Sequence, residues 1–336
     1  MEFDLTIGIT SYNRVNELAR CLESIDIKNY SVEILVSEDK SPKKEEIKKV
    51  VNEFADHSNY EVVFHSNEKN LGYDRNLGNI IKMAHGKYIL FMSDDDCFNP
   101  GVLDEFINEV ISKKVDLGYA AFDLGLNREV HRFYNESFII PKGKESIYKY
   151  FNDAILFSGL MFKKEAIIHY DAERFLNHYY FQVYLFMNVM INSGAYYVSS
   201  KVVWSVCDGE NAYGNSESSE KKEELSNRES IFSNIEFNKG LIKVIKIFDK
   251  ENNTDVITAY QKEYSFKSYF GLSKAKKEGK EQFKEYWKRL KSLDIKLNGY
   301  AYIYKFMLDV LGYNISDRLM IYFRTITMKR IQKRHE

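Results

Sequence analysis

The chain has 336 residues, 44% of them hydrophobic and 29% charged, with a formal net charge of -1. These values describe an ordinary globular protein, exclude disordered and fibrous classes, and offer no global basic field for nucleic acid. Three scattered cysteines, Cys21, Cys97 and Cys207, have no CxxC spacing. They imply neither a disulfide framework nor a zinc site, so a cytoplasmic location is expected. The first residues lack the basic start and apolar stretch of a signal peptide, and runs such as 154–162 fall far short of the ~20 residues of a membrane span.

In chain order, residues 5–10 read as a strand and 15–25 as a helix through Leu18, Leu22 and Ile25. A strand follows over 32–36, a helix over 43–54, a strand over 60–64, a helix over 75–84 and a strand over 87–92. Asn99-Pro100-Gly101 then opens a helix with Val102, Phe106 and Val110 on one face, since proline is tolerated in a first turn. Alternation of this kind predicts an α/β fold: a Rossmann-like, doubly wound, mostly parallel sheet. Further strands are expected over 117–122, 155–162 and 195–203, with a helix over 179–191. Residues 215–230 are polar without periodicity, and 231–336 read as helical. The expected division is an α/β domain over 1–214, a linker over 215–230 and a helical C-terminal region over 231–336.

The most informative stretch is Phe91-Met92-Ser93-Asp94-Asp95-Asp96, where a buried strand should emerge from the sheet. Three adjacent carboxylates repel, and a divalent cation such as Mn²⁺ or Mg²⁺ would relieve the conflict and hold a diphosphate as well. Read alone, the triplet is more readily a solvated acidic turn. Every preceding strand also ends in polar residues, and parallel strands bring such ends to one crevice. They are Thr10-Ser11-Tyr12-Asn13-Arg14, Ser37-Glu38-Asp39-Lys40-Ser41, and 67–72 leading into Asp74-Arg75-Asn76.

These residues suit a nucleotide-sugar. Tyr12 offers a face for a base, Asp39 an acceptor for an imide N–H, and Asp94 a carboxylate for a ribose. Asp95 and Asp96 are the metal candidates, Arg75 a charge-assisted donor to the diphosphate, and Thr10 and Arg14 belong to the same donor-binding edge. Each has a plainer alternative: Tyr12 as a packing residue, Asp39 as a turn residue, Arg75 as a surface charge. There is no GxGxxG, GxxxxGK[ST] or GxSxG, which argues against dinucleotide, P-loop and serine-hydrolase readings.

Residues 9–14, Asp39, Asn70-Leu71-Gly72, Arg75-Asn76, Gly86-Lys87-Tyr88 and 91–96 followed by Pro100 resemble the GT-A fold, family 2 glycosyltransferases. Within that family the chain looks most like bacterial enzymes of surface-polysaccharide synthesis, O-antigen and capsule, including abequosyltransferase-like members. The resemblance covers roughly residues 4–115 and fades beyond. It implies a metal-dependent, inverting transfer of sugar from a nucleotide-diphosphate donor, UDP-sugar favoured, to a glycan or polyprenyl-linked acceptor. It gives Tyr12 and Asp39 to the base, Asp94 to the ribose, Asp95 to the metal and Arg75 to the donor. The alternative is a nucleotide-binding homologue without transferase activity.

Two departures stand out. Glu38-Asp39-Lys40 occupies the place of the family's Asp-Asp-Gly, and Ser93 replaces one carboxylate of its acidic motif. The family's base is an Asp or Glu early in a helix of the second half, whereas the corresponding stretch 175–182 has no carboxylate. Three explanations stay open: His178 is the base, Asp208 from the loop 207–210 enters instead, or the chain is a weak or inactive homologue with His178 a helix-start residue of no role. Gln182 is expected to orient acceptor or pyrophosphate, with a core-facing amide the plainer alternative. At the C-terminus, Leu319, Tyr322, Phe323 and Ile326 share one helix face, and the last thirteen residues carry five Lys and Arg against Glu336. A peripheral contact with the inner face of the cytoplasmic membrane is the expectation there, an ordinary packed helix the alternative.

Overall fold

In the computed structural model, residues 3–125, 130–206 and 230–332 are described, with side chains as far as Tyr322. The first half alternates strand and helix: β1 (Phe3–Ser11), α1 (Val15–Glu23), β2 (Val32–Glu38), α2 (Lys44–His57), β3 (Glu61–Ser66), α3 (Tyr73–Met83) and β4 (Gly86–Ser93). There follow β5 (Asp96–Phe98), α4 (Leu103–Ser112), β6 (Leu117–Asp123), β7 (Phe138–Ile140), α5 (Lys144–Tyr150), β8 (Leu160–Lys163), α6 (Lys164–Ile167), α7 (Phe181–Ser193) and β9 (Ala195–Ser205). All nine strands form one sheet in the order β3-β2-β1-β4-β8-β6-β9-β5, with β7 beside β9. The ladders β1–β2, β1–β4, β2–β3 and β6–β9 are parallel and long, while the antiparallel ladders β4–β8, β5–β9, β6–β8 and β7–β9 are three register pairs each. The expected α/β, mostly parallel sheet followed by a helical region is what the chain forms.

Residue alternation along the strands sends apolar side chains to both faces, as a sheet covered on both sides requires. Leu5, Ile7, Ile9, Leu90 and Met92 pack with Leu18, Leu22, Ile47 and Phe106 from α1, α2 and α4. Ile89, Phe91 and Tyr119 face the other way, onto Leu77, Phe181 and Phe186. Fully burying each such side chain contributes about 1.5–3 kcal/mol, which is why the central strands hold the remaining architecture in register.

The 155–162 expectation is corrected. Only β8 is a strand, because Gly159 turns at φ +81° and the backbone before it is drawn off the sheet. The Arg132 guanidinium accounts for this, donating to the carbonyls of Asp153 and Leu156, both at 3.0 Å, and to that of Ser158. The helix after Pro100 starts at Leu103, with Val102 as its cap.

Beyond the described residues at 206, the chain resumes as α8 (Ser233–Asn252), α9 (Val256–Lys267), α10 (Tyr269–Glu278), α11 (Lys280–Lys291) and α12 (Gly299–Gln332). The expected linker 215–230 lies outside the described residues apart from Ser230. Leu241, Ile245, Tyr260, Leu272, Tyr286 and Leu308 belong to the same buried cluster as Phe91 and Phe186, so the helices share the core of the sheet. Helix α12 is interrupted at Gly312, φ 71° and ψ 175°. There Ser316 Oγ donates to the Met307 carbonyl at 3.3 Å, although nine residues of straight helix would hold them roughly 13 Å apart. The second half therefore turns back, and Asp317 accepts from Tyr269 at 2.5 Å and Ser273 at 2.6 Å.

A tight backbone seam lies where α8 crosses the loop before α7. A Cβ on Gly240 would sit 2.1 Å from the His178 carbonyl oxygen, backbone against backbone. Gly240→Ala should therefore cost about 1–3 kcal/mol, in the range of overpacked core substitutions. Urea unfolding checks this through a lower midpoint with an unchanged slope.

Candidate active site

The carboxyl ends of β1, β2, β3 and β4 come together along one sheet edge. Thr10 at the end of β1 lies in register with Ser37 of β2 and Ser93 of β4. The edge is knit by the Asp39 N–H on the Ser11 carbonyl at 3.0 Å and the Asn67 N–H on the Glu38 carbonyl at 2.9 Å. Two non-glycine residues at these ends, Asn13 at φ 62° and Lys40 at φ 58°, are left-handed. Lys40 thus takes the conformation that glycine adopts without steric cost, and such strain concentrates at functional sites.

The acidic triplet is resolved residue by residue. Arg14 Nη1 lies 2.8 Å from Asp94 and 3.0 Å from Asp95, so one guanidinium bridges the first two carboxylates. The Tyr12 N–H also donates to Asp94, at 3.1 Å. Burial pushes the Asp94 carboxyl up to about 6, against the pull of Arg14. Asp95 accepts from Ser93 Oγ at 2.5 Å. Asp96 begins β5 and accepts from Ser158 Oγ at 2.6 Å and from Ser205. Burial and the neighbouring Asp95 raise its pKa. Arg14 thus supplies positive charge to the triplet from within the fold.

Asp95 and Asp96 open onto a cavity of about 320 Å³. Its walls come from Tyr73, Phe122, Leu124, the segment Ile155–Ser158, Tyr179, Tyr180, Gln182, Ser205 and Phe237. The Ile155–Ser158 wall is the segment clamped by Arg132, a residue 5% exposed whose pKa burial lowers to about 10, still cationic at neutral pH. Ser158 couples wall to floor, accepting from the Ser93 N–H at 3.0 Å while holding Asp96.

The opposite wall depends on Asp74, at the start of α3. Its carboxylate accepts from the backbone N–H groups of His178 at 3.1 Å, Tyr179 at 2.8 Å and Phe181 at 2.9 Å. Burial raises its pKa to about 7, opposed by these donors. Asn177 and Tyr179 are left-handed at φ 62° and 65°, strain of about 1–3 kcal/mol each that the Asp74 bonds offset. Tyr73 OH donates to Gln182 Oε1 at 3.1 Å, and Gln182 Nε2 to the Ile155 carbonyl at 3.1 Å, tying the two walls together.

Of the expected site residues, Asp95, Asp96 and Gln182 line this cavity. Thr10, Tyr12, Arg14 and Asp94 lie beside it at the β1 and β4 ends. Asp39 is buried, accepting from Asn67 Nδ2 at 2.8 Å, the Leu71 N–H at 2.8 Å and the Gly72 N–H at 2.9 Å. An ionised carboxylate has about four acceptor positions, so one remains. Arg75 is not among the cavity walls; its Nε lies 2.9 Å from Glu173. His178 is likewise not a wall residue. Its Nδ1 must donate to the Leu176 carbonyl at 2.8 Å, and burial lowers its pKa, leaving the ring neutral. Asp208 lies outside the described residues.

Asp74, Arg132 and Ser158 carry no motif and escaped the sequence reading. The one available signal was Asp74 at the start of a predicted helix, within a polar cluster already noted.

Among the described residues no three His, Cys, Asp or Glu converge as a preformed metal site. The donor set nonetheless suits Mg²⁺ or Mn²⁺: two adjacent carboxylates and the Ser93 and Ser205 hydroxyls face the cavity. Hard cations of this kind are held by one or two carboxylates, with substrate phosphates and water completing the shell.

Residues 6–170 match the family model "Glycosyl transferase family 2". Among solved structures, TarS of S. aureus superposes with a TM-score of 0.51 at 13% identity, covering 86% of this chain. This chain spans 55% of the length of that one. The mannosyltransferase PcManGT from Pyrobaculum calidifontis, in complex with GDP-Man and Mn²⁺, superposes with a TM-score of 0.51 at 12% identity, covering 95% of this chain and 87% of its own. At such identities the likeness is one of fold. No curated protein matches the chain in sequence. Residues 6–170 thus match glycosyl transferase family 2 in sequence, and the chain as a whole shares the fold of these two structures.

Proposed function

We propose that the enzyme moves a sugar, with inversion, from a nucleotide-diphosphate donor, UDP-sugar favoured, to a glycan acceptor linked to a polyprenyl lipid, in bacterial surface-polysaccharide synthesis. The observation that carries this reading is the cavity floored by Asp95 and Asp96 at the end of β4, with aromatic and amide walls from the 177–182 loop. Tyr12 and the remaining acceptor position of Asp39 would serve the base, an imide N–H of uracil being the natural partner. Asp94, kept in place by Arg14 and the Tyr12 N–H, would accept from the ribose.

Asp95 and Asp96 would hold Mn²⁺ or Mg²⁺, which when bound supplies Lewis-acid neutralisation of the departing diphosphate. Gln182, fixed by Tyr73 and the Ile155 carbonyl, would orient the acceptor or the pyrophosphate. Tyr179, Tyr180 and Phe237 offer flat surfaces to sugar rings and exclude water from the transfer. The acceptor hydroxyl must lose a proton on the face opposite the leaving group. Asp208, three residues beyond the cavity-lining Ser205, is our candidate for that base; His178 keeps an acceptor Nε2 while its Nδ1 donates to the Leu176 carbonyl, but it is not among the cavity walls.

Donor hydrolysis or transfer should require Mn²⁺ or Mg²⁺ and disappear in EDTA. Asp95→Asn should weaken UDP binding by roughly 10-fold or more when metal is present, and little without it. Calorimetry with UDP and GDP in both conditions, and turnover across UDP- and GDP-sugars, test the assignment. Equal affinity of variant and wild type in metal would remove its basis.

For the base, Asp208→Asn should lower kcat by about 10²–10⁴-fold with unchanged donor affinity. His178→Ala should leave kcat within a few-fold. The reverse pattern would return the role to His178.

A further inference from the structure

Helix α12 is apolar on two opposite faces. Ala301, Tyr304 and Leu308 are buried in the helical region, while Ile303, Phe306 and Val310, spaced i, i+3 and i+7, are 60%, 68% and 63% exposed. Tyr300 and Tyr302 flank this outer stripe. Phe266 of α9 extends it, 55% exposed and edge-on to the Tyr300 ring with centroids 5.3 Å apart. Single exposed apolar residues are ordinary, but five on the outer face of an already packed helix, extended by a sixth from its neighbour α9, mark a contact surface.

Charge identifies the partner. Residues 256–336 hold 18 Lys and Arg against 8 Asp and Glu, while residues 1–255 hold 30 against 41. A chain of net charge -1 is thus strongly polarised, with its positive end on the region that carries the stripe. Exposed Lys262 and Lys267 share α9 with Phe266. Exposed Lys284, Lys288 and Lys291 share α11 with Trp287, whose ring meets Tyr302 edge-on at 5.3 Å. Aliphatic side chains rimmed by Tyr, Trp and Lys fit a partner with an anionic surface over an apolar interior. A second copy would bring the same positive charge to the contact and be repelled. A nucleic acid has the phosphates but no apolar layer to receive Phe306 and Val310.

We propose that this face seats the protein on an anionic bilayer, with Ile303, Phe306 and Val310 at the boundary of headgroups and acyl chains and the surrounding lysines on lipid phosphates. Among the described residues no helix is long and apolar enough to cross a membrane, so the contact is peripheral. The inference rests on exposure and charge rather than on the sugar-transfer reading, and either can fail without the other.

The full chain is floated with vesicles of phosphatidylglycerol and phosphatidylcholine, or of phosphatidylcholine alone. It should rise with the anionic vesicles and bind at least ~10-fold more weakly to neutral ones or at 1 M salt. The double variant Phe306→Glu, Val310→Glu should lose at least ~10-fold in vesicle binding with an unchanged melting temperature. Wild-type protein left unbound beside anionic vesicles, or equal flotation of the variant, would overturn the proposal. So would a dimer in sedimentation velocity that the variant dissociates, or retention on duplex DNA in place of vesicles.

Discussion

One guanidinium holds the centre of this site. Arg14, from the turn after β1, lies against both Asp94 and Asp95 at the end of β4, so the parallel pairing of those two strands is also an electrostatic pairing. Breaking a buried ion pair by removing one partner typically costs about 3–5 kcal/mol, because the remaining charge is left without compensation. The arrangement leaves Asp95 and Asp96 facing the cavity while Asp94 is kept for a different contact. Three adjacent carboxylates can therefore have three environments: ion-paired and buried, paired but open, and hydroxyl-bound at the start of β5.

The cavity walls depend on two further buried charges of opposite sign. Arg132 collects backbone carbonyls and holds the segment before Gly159 off the sheet. Asp74 collects backbone N–H groups and holds a strained loop in place. Each satisfies polar backbone that would otherwise be buried without a partner, at about 1–3 kcal/mol per group. Gln182 joins the two walls, its amide bonded to Tyr73 on one side and to the Ile155 carbonyl on the other.

The helical region is continuous with this construction. Gly240 of α8 lies directly on the His178 carbonyl, and Phe237, on the same helix, lines the cavity. A region that looks separable by composition thus completes the site, sharing one core with the sheet. Its outer surface differs from its inner one in both charge and apolarity, which is where a second, independent contact is expected.

Sequence by itself determined the alternating first half, because side-chain periodicity of two and of 3.6 is local, and strand-end polarity follows from where a parallel sheet meets solvent. The acidic triplet, Asp39 and the residues after β1 were legible for the same reason. Tertiary structure alone decided which partner each charge takes: Arg14 spans 80 residues to Asp94, Asp74 about a hundred to the 177–181 loop, and Arg132 turns an expected strand at 155–158 into a wall. No local pattern encodes such pairings, since a buried ion or carboxylate is chosen by what three-dimensional packing leaves unsatisfied. Arg75 and His178 show the converse, polar residues in suggestive positions that the folded chain leaves off the cavity walls, Arg75 beside Glu173 and His178 on its own loop.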